Sequence, residues 1–180
     1  LDSAELPPFK KISISFTSRE LHEVVPINIS KGQKILIRGP SGCGKTSLLE
    51  SIAGFNSLFE VHIDSTRLSD ENALSWSRQF SFVSQNYGQF PSPFLVDNVK
   101  ANDSWREKRY TKFFSKYVDQ IDVTLSGGEK QRLCVLRSLD INRSFILLDE
   151  PISALDSVSS LQLMSDLASQ EKTVICVLHS

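Results

Sequence analysis

The residues best equipped for chemistry begin with Gly39-Pro-Ser-Gly-Cys-Gly-Lys-Thr46. The run fits G-x-x-x-x-G-K-[ST], the pattern of a loop that cradles the phosphates of a nucleotide. Its glycines let successive backbone N–H groups turn inward to form a concave anion site. A helix beginning at the loop's end adds unpaired amides and the positive end of its dipole. In that pattern Lys45 reaches the β- and γ-phosphates and the Thr46 hydroxyl binds Mg²⁺. Gly39, Pro40, Ser41, Gly42, Cys43, Gly44, Lys45, Thr46 and Ser47 are therefore the candidate nucleotide contacts. The flanks suit this use. Lys34-Ile-Leu-Ile-Arg38 reads as a strand and Ser47-Leu-Leu-Glu-Ser-Ile-Ala53 as a helix.

Two acids form a second element. Phe145-Ile-Leu-Leu-Asp-Glu150 reads as a buried strand that delivers carboxylates to a sheet edge. Asp149 there can help hold Mg²⁺, and Glu150 can accept a proton from an attacking water. A strand leaving the core offers a plainer explanation of the two acids. The phosphate-cradling loop tips the balance toward chemistry.

The third element is Leu125-Ser-Gly-Gly-Glu-Lys-Gln-Arg132. Its glycines are expected to open a helix with N–H groups and the Ser126 hydroxyl pointing outward, a second anion site. This octet resembles the signature sequence of ATP-binding cassette (ABC) ATPases. The resemblance spans about residues 12–179 and implies ATP and Mg²⁺ as ligands. It implies further roles residue by residue. Gln85 resembles the family's glutamine that contacts Mg²⁺ and water and senses a transmembrane partner. Ser153-Ala-Leu-Asp156 resembles the loop that crosses to the opposite monomer. His179 resembles the histidine that contacts the γ-phosphate. Phe16 is the candidate for stacking on adenine. The expected catalytic set is thus Glu150, His179, Lys45 and Gln85, with Thr46, Gln85 and Asp149 at the metal. Ser126, Gly127 and Gly128 are expected to serve in trans. Two anion-binding helix starts on separate faces of one monomer meet on one triphosphate only in a two-fold dimer. The resemblance therefore implies a second nucleotide-binding domain and transmembrane domains as partners, at the cytoplasmic face of a membrane. Residues 61–64, 83–85 and 97–99 look most like exporter cassettes, so export is the expected direction. A soluble family ATPase of DNA repair or translation, and a regulatory cassette without turnover, are the alternatives.

These residues need a scaffold to place them. Strands alternating with helices imply a doubly wound α/β sheet, in which ligands gather at the carboxyl ends of strands. The expected fold is an α/β phosphate-loop NTPase core with a mostly parallel sheet. Alternating runs at residues 12–16 and 26–29 predict an N-terminal antiparallel β subdomain. Short strands are expected at 61–63 and 80–83 and a longer one at 173–178. Asp70 is the expected cap of a helix through Ser77, Gly54 the C-cap of the first helix, and Asp156 or Ser157 the cap of the last. That last helix should bury Leu161, Met164, Leu167 and Ala168, and the one after Gly128 should bury Leu133, Leu136 and Leu139. Residues 86–124, with their prolines and aromatics, read as a short helical insertion.

Composition agrees with one domain over residues 1–180. A net charge of −1, from 20 basic and 21 acidic residues, supplies no electrostatic grip on nucleic acid. The three cysteines have no metal-ligand spacing and read as reduced thiols. No apolar run approaches the length that spans a bilayer. The chain starts at Leu1 and stops one residue past His179, so a piece of a longer polypeptide is expected.

Overall fold

The computed structural model describes residues 10–17, 24–85, 126–140, 143 and 145–179. The helical insertion expected at 86–124 lies outside them. The described elements run β1 (Lys11–Thr17), β2 (Val24–Ser30), β3 (Lys34–Gly39), α1 (Lys45–Ala53), β4 (Glu60–Ile63), β5 (Thr66–Arg67), α2 (Asp70–Ser77) and β6 (Phe80–Val83). They continue with α3 (Gly127–Asp140), β7 (Phe145–Asp149), α4 (Ser157–Ala168) and β8 (Thr173–His179).

Two sheets result. The first has the order β2-β1-β4-β5 and is antiparallel, with Lys11 opposite Ser30 and Ile14 opposite Val61. Its alternation works as the sequence predicts, burying Ile12, Ile14, Ile29 and Val61. β5 has no counterpart in the sequence reading. The turn before it is made by Asp64 and Ser65, both at positive φ without a glycine. The Asp64 carboxylate accepts hydrogen bonds from the Lys10 and Lys11 amides at 2.7–3.0 Å. Those bonds hold a bend that glycine makes without help.

The second sheet is parallel, with the order β3-β8-β7-β6. Its central strands β7 and β8 are buried on both faces and carry unbroken apolar runs. The pleat divides them. Phe145 and Leu147 join Ile175, Val177, Leu48, Leu49 and Ile52 on the face covered by α1. Ile146 and Leu148 join Val174, Cys176 and Leu178 on the other face, beneath α3 and α4. α3 buries Leu133, Leu136 and Leu139 as expected.

Two local expectations change. α4 buries Leu163 and Leu167 and leaves Leu161 73% exposed and Ala168 exposed, so its contact stripe is rotated from the expected one and shares only Leu167 and the half-buried Met164 with it. Asp70 is the first residue of α2 rather than its cap. Ser69 takes that place, and its N–H donates to the Asn72 side chain at 2.9 Å. The cap of α4 is Asp156, whose carboxylate accepts from the Ser159 N–H at 2.9 Å. Gly54 closes α1 in the left-handed conformation as expected, with φ 77°. Among the described residues no helix is long and apolar enough to cross a membrane.

Candidate functional site

Parallel register gathers the functional residues at one sheet edge. Gly39 lies opposite His179, Asp149 opposite Val177, and Val83 opposite Leu148. The carboxyl ends of β3, β8, β7 and β6 thus carry the phosphate-cradling loop, His179, the acid pair and Gln85 side by side. This is the edge where doubly wound sheets bind ligands.

The loop turns on two glycines, Gly42 at φ 75° and Gly44 at φ 96°. A side chain in this left-handed region is strained, so glycine suits both positions. A Cβ at Gly39 would lie 2.9 Å from Cys43 Sγ and would turn that side chain aside. α1 starts at Gly44, which offers no side chain to its first-turn amides, and no acid sits in that turn. The other described helices are capped by their own residues: Ser69 with Asn72, Ser126 with Glu129, and Asp156. The start of α1 therefore keeps both its N–H groups and its dipole available for an anion. Lys45 is buried, and its Nζ donates to the Gly39 and Pro40 carbonyls at 2.8 Å, holding the cation inside the loop.

The pleat of β7 explains the next contact. Asp149 continues the Phe145–Leu147 alternation toward α1, and its Oδ2 accepts from Thr46 Oγ1 at 2.8 Å. Asp149 is 2% exposed and its Oδ1 is buried without a hydrogen-bond partner. Burial pushes its carboxyl above the usual carboxylate range. The Thr46 bond opposes that rise and the neighbouring Glu150 charge adds to it. A buried carboxylate with an orphaned oxygen beside a threonine hydroxyl suits a hard divalent cation, which takes oxygen donors. The residues present fit Mg²⁺.

That strain has a measurable consequence. A carboxyl whose pKa is raised by folding contributes stability at low pH that is lost as pH rises through the folded value. Asp149→Asn removes the buried charge. Without divalent cation at pH 7 it should stabilise the protein by about 1 kcal/mol, as functional-site replacements commonly do. The gain should fade as pH falls through the raised range of the wild-type carboxyl, which then takes up its proton. Saturating Mg²⁺ should raise the melting temperature of the wild type and leave the variant unmoved. Thermal melts with and without EDTA decide it; a variant less stable than wild type in EDTA would contradict the assignment.

Glu150 follows at φ 50°, a left-handed backbone unusual for a non-glycine residue. Its side chain is 13% exposed and lies between two of the predicted partners. Gln85 Nε2 donates to Oε2 at 2.9 Å, and His179 Nε2 stands 3.8 Å from Oε1. Residues 65 and 29 positions away in sequence thus meet on one carboxylate. A base oriented on both oxygens is arranged to take a proton in a defined direction. Gln85, assigned by resemblance to both catalysis and metal, is here engaged with Glu150.

The start of α3 differs from expectation. The Ser126 hydroxyl does not point outward. It donates to Glu129 Oε2 at 2.9 Å, and the Ser126 N–H donates to the same oxygen at 2.9 Å. A serine followed three residues later by a glutamate forms a capping box, and that local bond wins. Gly127 is exposed. Gly128 is needed for packing, because a Cβ there would lie 2.5 Å from the Ala154 carbonyl oxygen. Asp156 is drawn into capping α4, and its hydrogen bonds from Ser159 hold its carboxyl below the usual range. Phe16 sits in β1 opposite Val25, and its side chain lies outside the described residues.

Gln131 had no expected role. It is 1% exposed, donates to the Glu150 carbonyl at 2.8 Å and Ser153 Oγ at 3.0 Å, and accepts from the Ala154 N–H at 3.0 Å. The available signal was a glutamine one helical turn before the buried Val135, because a buried amide needs partners. None of the three cysteines forms a disulfide. Burial pushes the Cys134 thiol up and the Cys176 thiol up to about 12, which leaves both inert. Among the described residues no group of His, Cys, Asp and Glu gathers as a metal cluster.

Comparison with known proteins agrees with this geometry. Residues 23–153 match the family model described as ABC transporter. The chain is 32% identical over 170 residues to the spermidine/putrescine import ATP-binding protein PotA of Thermotoga maritima, covering 88% of this chain and 46% of that protein. It spans less than half the length of the curated relatives it matches. The dimeric ATP-binding cassette MJ0796 in a post-hydrolysis state, bound to ADP and Pi, superposes with a TM-score of 0.66 at 27% identity, covering 96% of this chain and 87% of that one. A bacterial Atm1-family ABC exporter with ATP bound gives a TM-score of 0.73 at 21% identity over 97% of this chain and 35% of the exporter, a likeness of fold alone. With its phosphate-cradling loop, paired acids and glycine-opened α3 set on this sheet edge, the chain belongs to the ABC transporter family, in which it is a nucleotide-binding domain.

Proposed function

We propose that this domain hydrolyses ATP as one half of a pair of cassettes and drives the membrane domains of a transporter. The observation that carries the reading is the convergence of Gln85, Glu150 and His179 at the mouth of the Lys45 loop. Lys45 and the open amides of α1 bind and orient the phosphates. Thr46 and Asp149 would hold Mg²⁺, which when bound offsets phosphate charge. Glu150 accepts the proton of the attacking water while Gln85 and His179 fix its direction. Most of the rate gain in such a site comes from positioning and charge stabilisation.

In this reading the start of α3 is a second anion site, and two helix starts serve one triphosphate across a two-fold axis, so a second cassette brings Ser126 and Gly127 onto the bound nucleotide. Ser126 then exchanges its bond to Glu129 for one to the partner's nucleotide. The dimeric state of the MJ0796 cassette supports this pairing. Ser126→Arg should abolish ATP-driven dimerisation of Glu150→Gln protein. A dimer that persists in size-exclusion chromatography with ATP would remove the shared site.

Membrane domains place the assembly at the cytoplasmic face of a membrane. The exporter-like segments of the sequence suggested export. Relatives such as PotA are named for import, and at 32% identity that supports import more strongly than a likeness of fold supports export.

A further inference from the structure

We propose that Gln131 is a positioning residue for Glu150, a role that rests on the base assignment made above. Glu150 holds a left-handed backbone at φ 50°. Such a conformation persists in a non-glycine residue only where the surroundings hold it. Three bonds do so. The Glu150 N–H donates to the Val177 carbonyl at 2.9 Å, and the Glu150 carbonyl accepts from Ser153 N at 3.2 Å and from Gln131 Nε2 at 2.8 Å. The peptide on each side of the Glu150 Cα is thereby pinned, which sets the direction in which its side chain leaves the backbone. That direction carries the carboxylate to Gln85 and His179.

Gln131 suits this task because every hydrogen-bonding group of its amide is used. The two N–H bonds go to the Glu150 carbonyl and Ser153 Oγ, and the oxygen accepts from Ala154 N. A buried amide so saturated has one orientation, and moving it would break all three bonds at once. It also sits one helical turn beyond Gly128, which touches the Ala154 carbonyl. α3 therefore grips residues 150–154 twice. A shift of the α3 start when it engages a partner's nucleotide passes to Glu150 through one amide.

Two substitutions test it. Gln131→Met keeps the volume and loses all three bonds; Gln131→Glu keeps an acceptor for Ala154 and loses both donors. Each should lower kcat about 10- to 100-fold, the cost of misplacing a catalytic group by a fraction of an ångström. The ATP KM should stay within about 3-fold, since the phosphate loop is untouched. Turnover is counted per nucleotide-binding site, so loss of folded protein does not enter. In a Glu150→Gln background neither substitution should slow the residual single-turnover rate further, because the group being aimed is gone. A brace without a positioning role would lower that residual rate in both backgrounds alike. Wild-type kcat in either Gln131 variant, with Glu150→Gln inactive, overturns the inference alone. Wild-type turnover in Glu150→Gln overturns the base assignment instead.

Discussion

Glu150→Gln should reduce steady-state ATP hydrolysis about 1,000-fold, within the range expected when a general base is lost. The substitution is nearly isosteric, and the new amide can turn its oxygen to Gln85 Nε2, so the local hydrogen bond survives. Only the capacity to take a proton is removed. Nucleotide affinity should change little, because the groups proposed to meet the phosphates are Lys45, Thr46 and the amides of α1. Two measurements check this: phosphate release at saturating ATP, and titration with a fluorescent nucleotide. A slow enzyme that still binds supports proton abstraction by Glu150. Unchanged phosphate release takes Glu150 out of that role. A joint loss of binding and turnover would show that the variant disturbs the site as a whole.

The second large effect is expected at Gly128→Ala. Alanine at a helical position normally gains about 1 kcal/mol over glycine. Here the new Cβ would stand 2.5 Å from the Ala154 carbonyl oxygen, a backbone atom that cannot rotate away. Either α3 or residues 150–156 must move. Overpacking of this kind costs about 1–3 kcal/mol and outweighs the helix propensity. A net loss of about 1 kcal/mol lowers the melting temperature by about 2–4 °C in a chain of this size. Hydrolysis should fall further than stability does, because the displaced segment contains Glu150 and the Ser153 and Ala154 partners of Gln131. Differential scanning calorimetry and the same phosphate assay measure both. A melting temperature at or above wild type would mean that the 150–156 segment yields freely and that the close approach does not constrain the site.

Legibility followed the range of the forces involved. The phosphate-cradling loop was readable because its chemistry is local: two left-handed glycines, a lysine and a helix start, all within eight residues. The strands of the parallel sheet were readable because burial on both faces leaves continuous apolar runs such as Phe145–Asp149 and Thr173–His179. β5 escaped because its turn uses Asp64 and Ser65, held by amides 53 and 54 residues away. The α4 stripe was misphased because helical periodicity fixes the spacing of contacts but not which leucine starts them. The capping box at Ser126 and Glu129 was written in the sequence, yet a serine beside two glycines supports either an open or a capped start.

By itself the sequence determined the family and the kinds of group at the site, since residue type and short spacing set local backbone geometry and ionisable chemistry. It also determined the parallel core, through hydrophobic runs that only a doubly covered sheet can bury. The tertiary structure alone decided which groups act together. Register across β3, β8, β7 and β6 places Gln85 and His179 on opposite oxygens of Glu150, and the pleat of β7 turns Asp149 toward Thr46. Contact between α3 and the segment after β7 gives Gln131 and Gly128 their roles. These are relations between distant residues, fixed by how faces pack, and no local spacing encodes them.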